Sequence, residues 1–192
     1  MAIKTFTSGA VLTSADTNTY LNNGGLVYIT TATASGTAPG VNIQSCFSAT
    51  YDNYRIEIIN GRSSSAANIS FQMLTGATPV GGVGYACGYT GLSSLGASTN
   101  VSNNNQAAGF MFESFLSSEG GNTASFDIMN PFRAARTSLI GGAVCLNSGL
   151  NGFNFRSGVS HHEVQLSYDG IRIIASAGNI TFTARIYGYR QA

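Results

Sequence analysis

From residue 26 onward the apolar side chains recur at every second position, and this period is the feature that most constrains the fold. In 54–58, Tyr54, Ile56 and Ile58 share one face, with Arg55 and Glu57 on the other. In 162–168, Val164, Leu166 and Tyr168 oppose Glu163, Gln165 and Ser167. In 180–186, Ile180, Phe182, Ala184 and Ile186 oppose Thr181, Thr183 and Arg185. A period of two places successive side chains on opposite faces of a strand, one face buried and the other solvated or in an interface. Candidate strands cover 26–31, 43–48, 54–60, 69–74, 84–90, 109–116, 123–129, 138–146, 161–168, 171–175 and 180–187. Turn signals separate them. Asp169-Gly170 reads as a tight hairpin between two alternating runs, and Ser176-Ala177-Gly178-Asn179 as the next turn. Residues 61–68 and 92–107 read as polar loops. The pattern predicts an all-β domain over 26–192, an antiparallel two-sheet sandwich of jelly-roll-like type.

The first 25 residues break the pattern. Residues 13–24 predict a short helix, capped by Thr13 or Ser14, with Asp16 in its first turn and Gly24 or Gly25 at its end. Val11, Leu12, Tyr20 and Leu21 form its small apolar face. A helix of that length is not stable alone, so residues 1–25 are expected to be a docking segment that packs on another protein.

Charge is scarce. Of 192 residues, 9% are charged, against roughly 25% in an ordinary domain, while 43% are hydrophobic and 11 Phe and 9 Tyr are present. The aromatic content argues against disorder, and no apolar run reaches the ~18 residues of a membrane span. Lys4 is the one lysine, and the eight arginines are scattered from Arg55 to Arg190, so no basic stripe exists to bind nucleic acid or a membrane surface. An ordered chain with so few charges suits packing against copies of itself, where buried charges are costly. Cys46, Cys87 and Cys145 are widely spaced and odd in number, and read as buried thiols. No apolar leader follows Met1, so assembly in a reducing cytosol is expected. The sequons at Asn68, Asn100 and Asn179 then read as chance in an Asn/Ser/Thr-rich chain.

The residues of chemistry form no constellation. Adjacent His161 and His162 on a strand point to opposite faces, which disfavours a shared metal, and they read as surface or interface histidines. A Gly-x-Ser-x-Gly nucleophile elbow is missing, and the eight acidic residues show no spacing that selects a carboxylate pair. Gly81-Gly82-Val83-Gly84 lacks the Gly-Lys-Ser/Thr of a phosphate loop. No enzyme activity, metal or cofactor is expected. The candidate binding element is the polar loop at 92–107, where Asn103, Asn104 and Asn105 offer uncharged donors and acceptors suited to a glycan. Tyr85 or Tyr89 on the preceding strand is expected to stack on a sugar ring.

Three segments carry a resemblance. Phe6-Thr7-Ser8-Gly9-Ala10-Val11-Leu12-Thr13-Ser14-Ala15-Asp16-Thr17-Asn18-Thr19-Tyr20-Leu21 resembles the N-terminal pattern of phage tail-fibre and tail-associated proteins: an aromatic, a Gly, then Val-Leu-Thr-Ala-Ala-Asp-Leu-Asn. Ser14 and Thr17 depart from that pattern. Phe47-Ser48-Ala49-Thr50-Tyr51-Asp52-Asn53-Tyr54-Arg55-Ile56 is similar to the start of a β-sandwich module of phage structural proteins, often of cyanophages and other aquatic phages. Gly178 to Arg190 looks like that module's closing strand. The resemblance implies a virion protein, commonly trimeric. It also implies other virion proteins as partners and supplies no catalytic residue. A short tail fibre, spike or tail-tip component that attaches to a host surface glycan is the leading expectation; a capsid decoration protein is the alternative. Deleting residues 1–25 is expected to leave a folded sandwich that no longer joins particles. Normal incorporation of the truncated chain, measured on purified particles, would remove the docking role.

Overall fold

The structure, a computed structural model, describes residues 25–190 apart from 83, 95, 107, 113–121 and 148–151, together with Gly9 and Thr13. The predicted N-terminal helix, with Val11, Leu12, Tyr20 and Leu21, lies outside the described residues.

Thirteen strands are seen among the described residues: β1 (Leu26–Ser35), β2 (Gly40–Ile43), β3 (Asn53–Ser63), β4 (Ile69–Thr75), β5 (Thr78–Pro79), β6 (Tyr85–Ser93) and β7 (Ser98–Gln106), then β8 (Gly109–Phe112), β9 (Asn122–Met129), β10 (Ala135–Asn147), β11 (Gly152–Leu166), β12 (Gly170–Ala175) and β13 (Ile180–Tyr189). They form two antiparallel sheets. The large sheet has eight strands in the order β1-β13-β3-β9-β10-β11-β6-β7; the small sheet runs β2-β12-β4-β5, with β8 also paired to β4.

The core lies between the sheets and follows from the alternation. Tyr54, Ile56 and Ile58 of β3, Phe126 and Ile128 of β9, and Phe182, Ala184 and Ile186 of β13 point inward. They pack with Phe71 and Met73 of β4 and Ile171 and Ile173 of β12. Fully burying each large apolar side chain contributes about 1.5–3 kcal/mol. Two core tyrosines also tie down irregular backbone. The Tyr54 hydroxyl donates to the Ser48 carbonyl at 2.8 Å and accepts from the Ser48 N–H at 2.7 Å. The Tyr85 hydroxyl donates to the Val80 carbonyl and accepts from the Met73 N–H, both at 2.9 Å. The three cysteines are buried and form no disulfide among the described residues; burial pushes the Cys46 thiol pKa up to about 12, against opposing backbone hydrogen bonds.

The strands depart from the sequence expectation at several points, among them the following three. Residues 169–170 do not close a hairpin: β11 pairs with β10 and β6, and β12 with β2 and β4. The chain crosses from one sheet to the other there, anchored as the Asp169 carbonyl accepts from the Phe47 N–H and its carboxylate from the Gly76 N–H. Residues 98–106, expected in a loop, form β7, an edge strand paired with β6. Its ladder comes from the backbone, so its polar side chains hide it from a hydrophobic pattern. The strand expected at 43–48 instead ends at Ile43, with Ser45 in the left-handed region at φ 52°.

Close backbone approach fixes one glycine. Gly141 of β10 pairs with Phe126, and a Cβ there would meet the Ser125 carbonyl and come within 2.7 Å of the Phe126 Cα. Gly141→Ala is expected to destabilise the fold by about 1–3 kcal/mol through overpacking. Chemical denaturation checks it; a midpoint equal to wild type would contradict the packing assigned to this face.

Candidate functional site: the outer face of the large sheet

Of the predicted receptor residues, Tyr85 is placed in the interior. Tyr85 is fully buried, its hydroxyl committed to Val80 and Met73, so it cannot stack on a sugar. Tyr89 is half-buried on the sheet side occupied by Arg156, whose guanidinium lies 5.7 Å from the ring centroid. Asn103 is exposed on β7, and Asn104 and Asn105 belong to the same strand. Two parts of the expectation are therefore corrected: Tyr85 is no sugar platform, because its hydroxyl has interior partners, and residues 98–106 are strand rather than loop.

His162 is a second correction. It is buried rather than on the surface. Its ring stacks on Tyr85 with centroids 4.1 Å apart, and Nδ1 lies 2.7 Å from the Tyr168 hydroxyl. His161, its strand neighbour, faces the other way and sits 3.5 Å from Glu163. Among the described residues no group of three His, Cys, Asp or Glu could hold a metal ion. Nor is any helix long and apolar enough to cross a membrane.

The unexpected feature is the outer face of the large sheet. The register aligns Thr31, Arg185, Glu57, Ser125, Gly142, Ser157, Thr90 and Asn100 in one row across all eight strands. On one side of this row stand Val144, Phe155 and Leu92, each opposite the next. On the other stand Ile140 and Val159. All five are 41–62% exposed, as is Phe153 at 50%. Small residues flanked by large apolar ones leave a groove that crosses the strands. A hollow of about 490 Å³ lies at its β3–β11 end, lined by Glu57, Thr123, Ser125, Val144, Phe155 and Ser157 among others. A second of about 450 Å³ lies at its β11–β7 end, beside Thr90, Asn100, Ser102 and Val159.

Beside the Ile140–Val159 ridge, Arg55 and Asp127 form a two-pronged ion pair at 2.9 and 3.2 Å, and Tyr189 donates to the same carboxylate at 2.5 Å. Burial raises the Asp127 pKa, but Arg55 and Tyr189 outweigh it and hold the carboxyl below its ordinary value.

A sequence signal for the groove existed. In 152–160 the apolar residues Phe153, Phe155 and Val159 share a phase, with Asn154, Arg156 and Ser160 in the other. The structure turns the apolar phase outward and buries Arg156 and Ser160, the reverse of the usual reading. No known protein family, no curated protein and no solved structure matches this chain.

His162 makes stability pH-dependent. Burial lowers its pKa, Glu163 opposes and His161 adds to the lowering, with the net direction downward. The unfolded chain, with a histidine pKa of about 6.5, then binds the proton more readily than the fold does. The stabilisation is complete above about pH 6.5 and is lost as the pH falls toward the lower folded value. Denaturation midpoints between pH 7.5 and about 5 should decline in wild type and decline less in His162→Phe. Identical slopes for the two proteins would show that another group titrates.

Proposed function

We propose that this chain is a non-enzymatic structural subunit of a bacteriophage particle, a short tail fibre, spike or tail-tip component that assembles as a homotrimer and contributes to host attachment. The observation that carries the assembly reading is the pair of open edges of the large sheet. β1, Leu-Val-Tyr-Ile-Thr-Thr-Ala-Thr-Ala-Ser, and β7, Ser-Thr-Asn-Val-Ser-Asn-Asn-Asn-Gln, contain no charged residue and no proline. Proteins that stay monomeric blunt such edges with lysine, proline or bulges, because an open ladder pairs with another chain; here each edge ladder has one register shift, at Tyr28/Thr30 and opposite Tyr85/Cys87, and neither lysine nor proline. β1 and β7 lie at opposite ends of one sheet, so one copy's β1 on the next copy's β7 gives the head-to-tail contact that a closed ring requires.

The phage placement rests on the resemblance at residues 6–21, 47–56 and 178–190. In this reading residues 1–25 form a docking segment with a short helix at 13–24, and Val11, Leu12, Tyr20 and Leu21 seat it on the particle. The virion is the site of action. The partners are other copies, neighbouring virion proteins and a host glycan, with no role for nucleic acid or membrane insertion. The sandwich is jelly-roll-like, in keeping with a chain that alternates between the sheets at both ends, β1 to β4 and β11 to β13. One observation favours the alternative, a capsid decoration protein: the half-exposed Ile140, Val144 and Val159 give the outer face apolar contact area of the kind a cement needs.

The test is the state of association. Wild type should sediment as a trimer at micromolar concentration. Thr31→Lys with Thr33→Lys, both exposed on β1, should sediment as a monomer with an unchanged melting temperature. A stable wild-type monomer would sink the assembly reading.

A further inference from the structure

We propose that the transverse groove on the outer face of the large sheet binds a short neutral oligosaccharide. This deepens the attachment reading above, and depends on it only for where the glycan comes from.

Shape is the first ground. Ser125, Gly142 and Ser157 form a low floor, and Phe155 with Val144 and Val159 with Ile140 form its two walls. The walls lie four residues apart along the strands, roughly 13 Å, and the floor from β3 to β7 crosses five strand spacings, roughly 24 Å. That is a long, narrow trench open to solvent, suited to a chain of rings rather than a globular contact.

Chemistry is the second ground. At several turns hydroxyls are spent on backbone: Ser63 donates to Ala177, Ser176 accepts from Asn68 and Ser167 donates to Phe132. In the groove, the Ser125, Ser157 and Thr123 hydroxyls have no side-chain partner among the described residues, and the Glu57 carboxylate, opposite Arg185 in the ladder and within the field of Arg55, accepts no side-chain hydrogen bond there. A carboxylate accepts from neighbouring sugar hydroxyls, and serine and threonine both donate and accept. The Phe155 ring, 45% exposed, offers an apolar platform to the C–H face of a pyranose. Glu57 is the one charged residue lining the deeper hollow, so an acidic sugar would meet repulsion there. A neutral glycan bearing acetamido methyls matches both the hydroxyl floor and the aliphatic walls.

The competing occupant is a second copy of this chain. The walls alone would fit it. The floor does not, because a dry protein contact would strand one carboxylate and several hydroxyls without partners, whereas an oligosaccharide supplies its own hydroxyls to them.

The experiment titrates the isotope-labelled full chain with chitotriose and, separately, maltotriose, followed by NMR. Shift changes should be confined to outward residues of β3, β9, β10 and β11, with chitotriose the tighter ligand. Phe155→Ala should weaken binding roughly tenfold, the loss expected for an aromatic platform. Ser125→Trp fills the floor on an exposed strand position that tolerates a large aromatic, and should abolish binding while melting like wild type. Absence of shifts with both sugars at millimolar concentration overturns the proposal, as does wild-type affinity in Ser125→Trp. If Ser125→Trp instead dissociates the trimer, the groove is the contact between copies. A wild-type trimer that binds neither sugar removes the glycan and leaves the structural subunit standing. Binding by a monomer does the reverse.

Discussion

Everything in this fold hangs on the burial of one sheet face against another of unequal width. On β13, β3 and β9 the centre of the inner face is apolar, from Ile180 and Ile186 through Ile56 and Ile58 to Phe126 and Ile128, and Phe71, Met73, Ile171 and Ile173 of the small sheet meet it. Eight strands are wider than the small sheet can cover at this density. The inner face accordingly changes character on β11, where Arg156, Ser160 and His162 are buried. Gly91, directly opposite Arg156, has no side chain because the guanidinium occupies that space. A buried cation is tolerable only where neighbours satisfy it. The Tyr89 ring supplies one such contact.

Between the apolar centre and this polar flank stands a small aromatic network. Phe71 meets Tyr85 edge-on at 5.6 Å, Tyr85 stacks on His162, and His162 reaches Tyr168. The Tyr168 hydroxyl also donates to the Val164 carbonyl at 3.1 Å, and its backbone N–H to the Pro131 carbonyl. The last turn of β11 is thus held to the interior just before the chain leaves for the small sheet. Tyr54 does the equivalent work at residue 48, before β3 begins. Hydroxyls at the ends of large apolar rings let the chain change sheets without leaving buried backbone groups unpaired.

Legibility in the sequence followed from which side of each strand is dry. β3, β9, β12 and β13 were readable because one phase is apolar and the core takes it, as with Tyr54, Ile56 and Ile58. β7 was not, since its pairing is made by backbone and its side chains carry no apolar phase. The first half of β11 was missed because its apolar phase, Phe153, Phe155 and Val159, is the exposed one. Asp169-Gly170 misled for a different reason. The signal is local, whereas membership of a sheet is decided by partners distant in sequence, here Ile43 and Met73 on either side of Ile171. Tyr85 and His162 were placed on the surface because a polar tip on a ring fits interior and exterior alike. Only the partners decide, and those are Met73, Val80 and Tyr168.

The same inversion separates the two faces of the large sheet by purpose. An outer face that served solvation alone would carry charge at its large positions, as ordinary surfaces do. Here the large positions are Ile140, Val144, Phe155 and Val159, and two of the charges on that face, Arg55 and Asp127, are spent on each other. Half-exposed apolar side chains in one contiguous area favour contact with something other than water. The unpartnered hydroxyls between them restrict that contact to a partner able to hydrogen-bond throughout its length. The uncharged edges β1 and β7 lie in the plane of the sheet, away from this face. In the proposed ring, copies joined edge to edge would leave every groove open, and repetition of a weak site would raise the effective concentration of each site for a polymeric ligand. On that proposal a shallow trench with modest affinity per copy would be sufficient for firm attachment, with no deep pocket required.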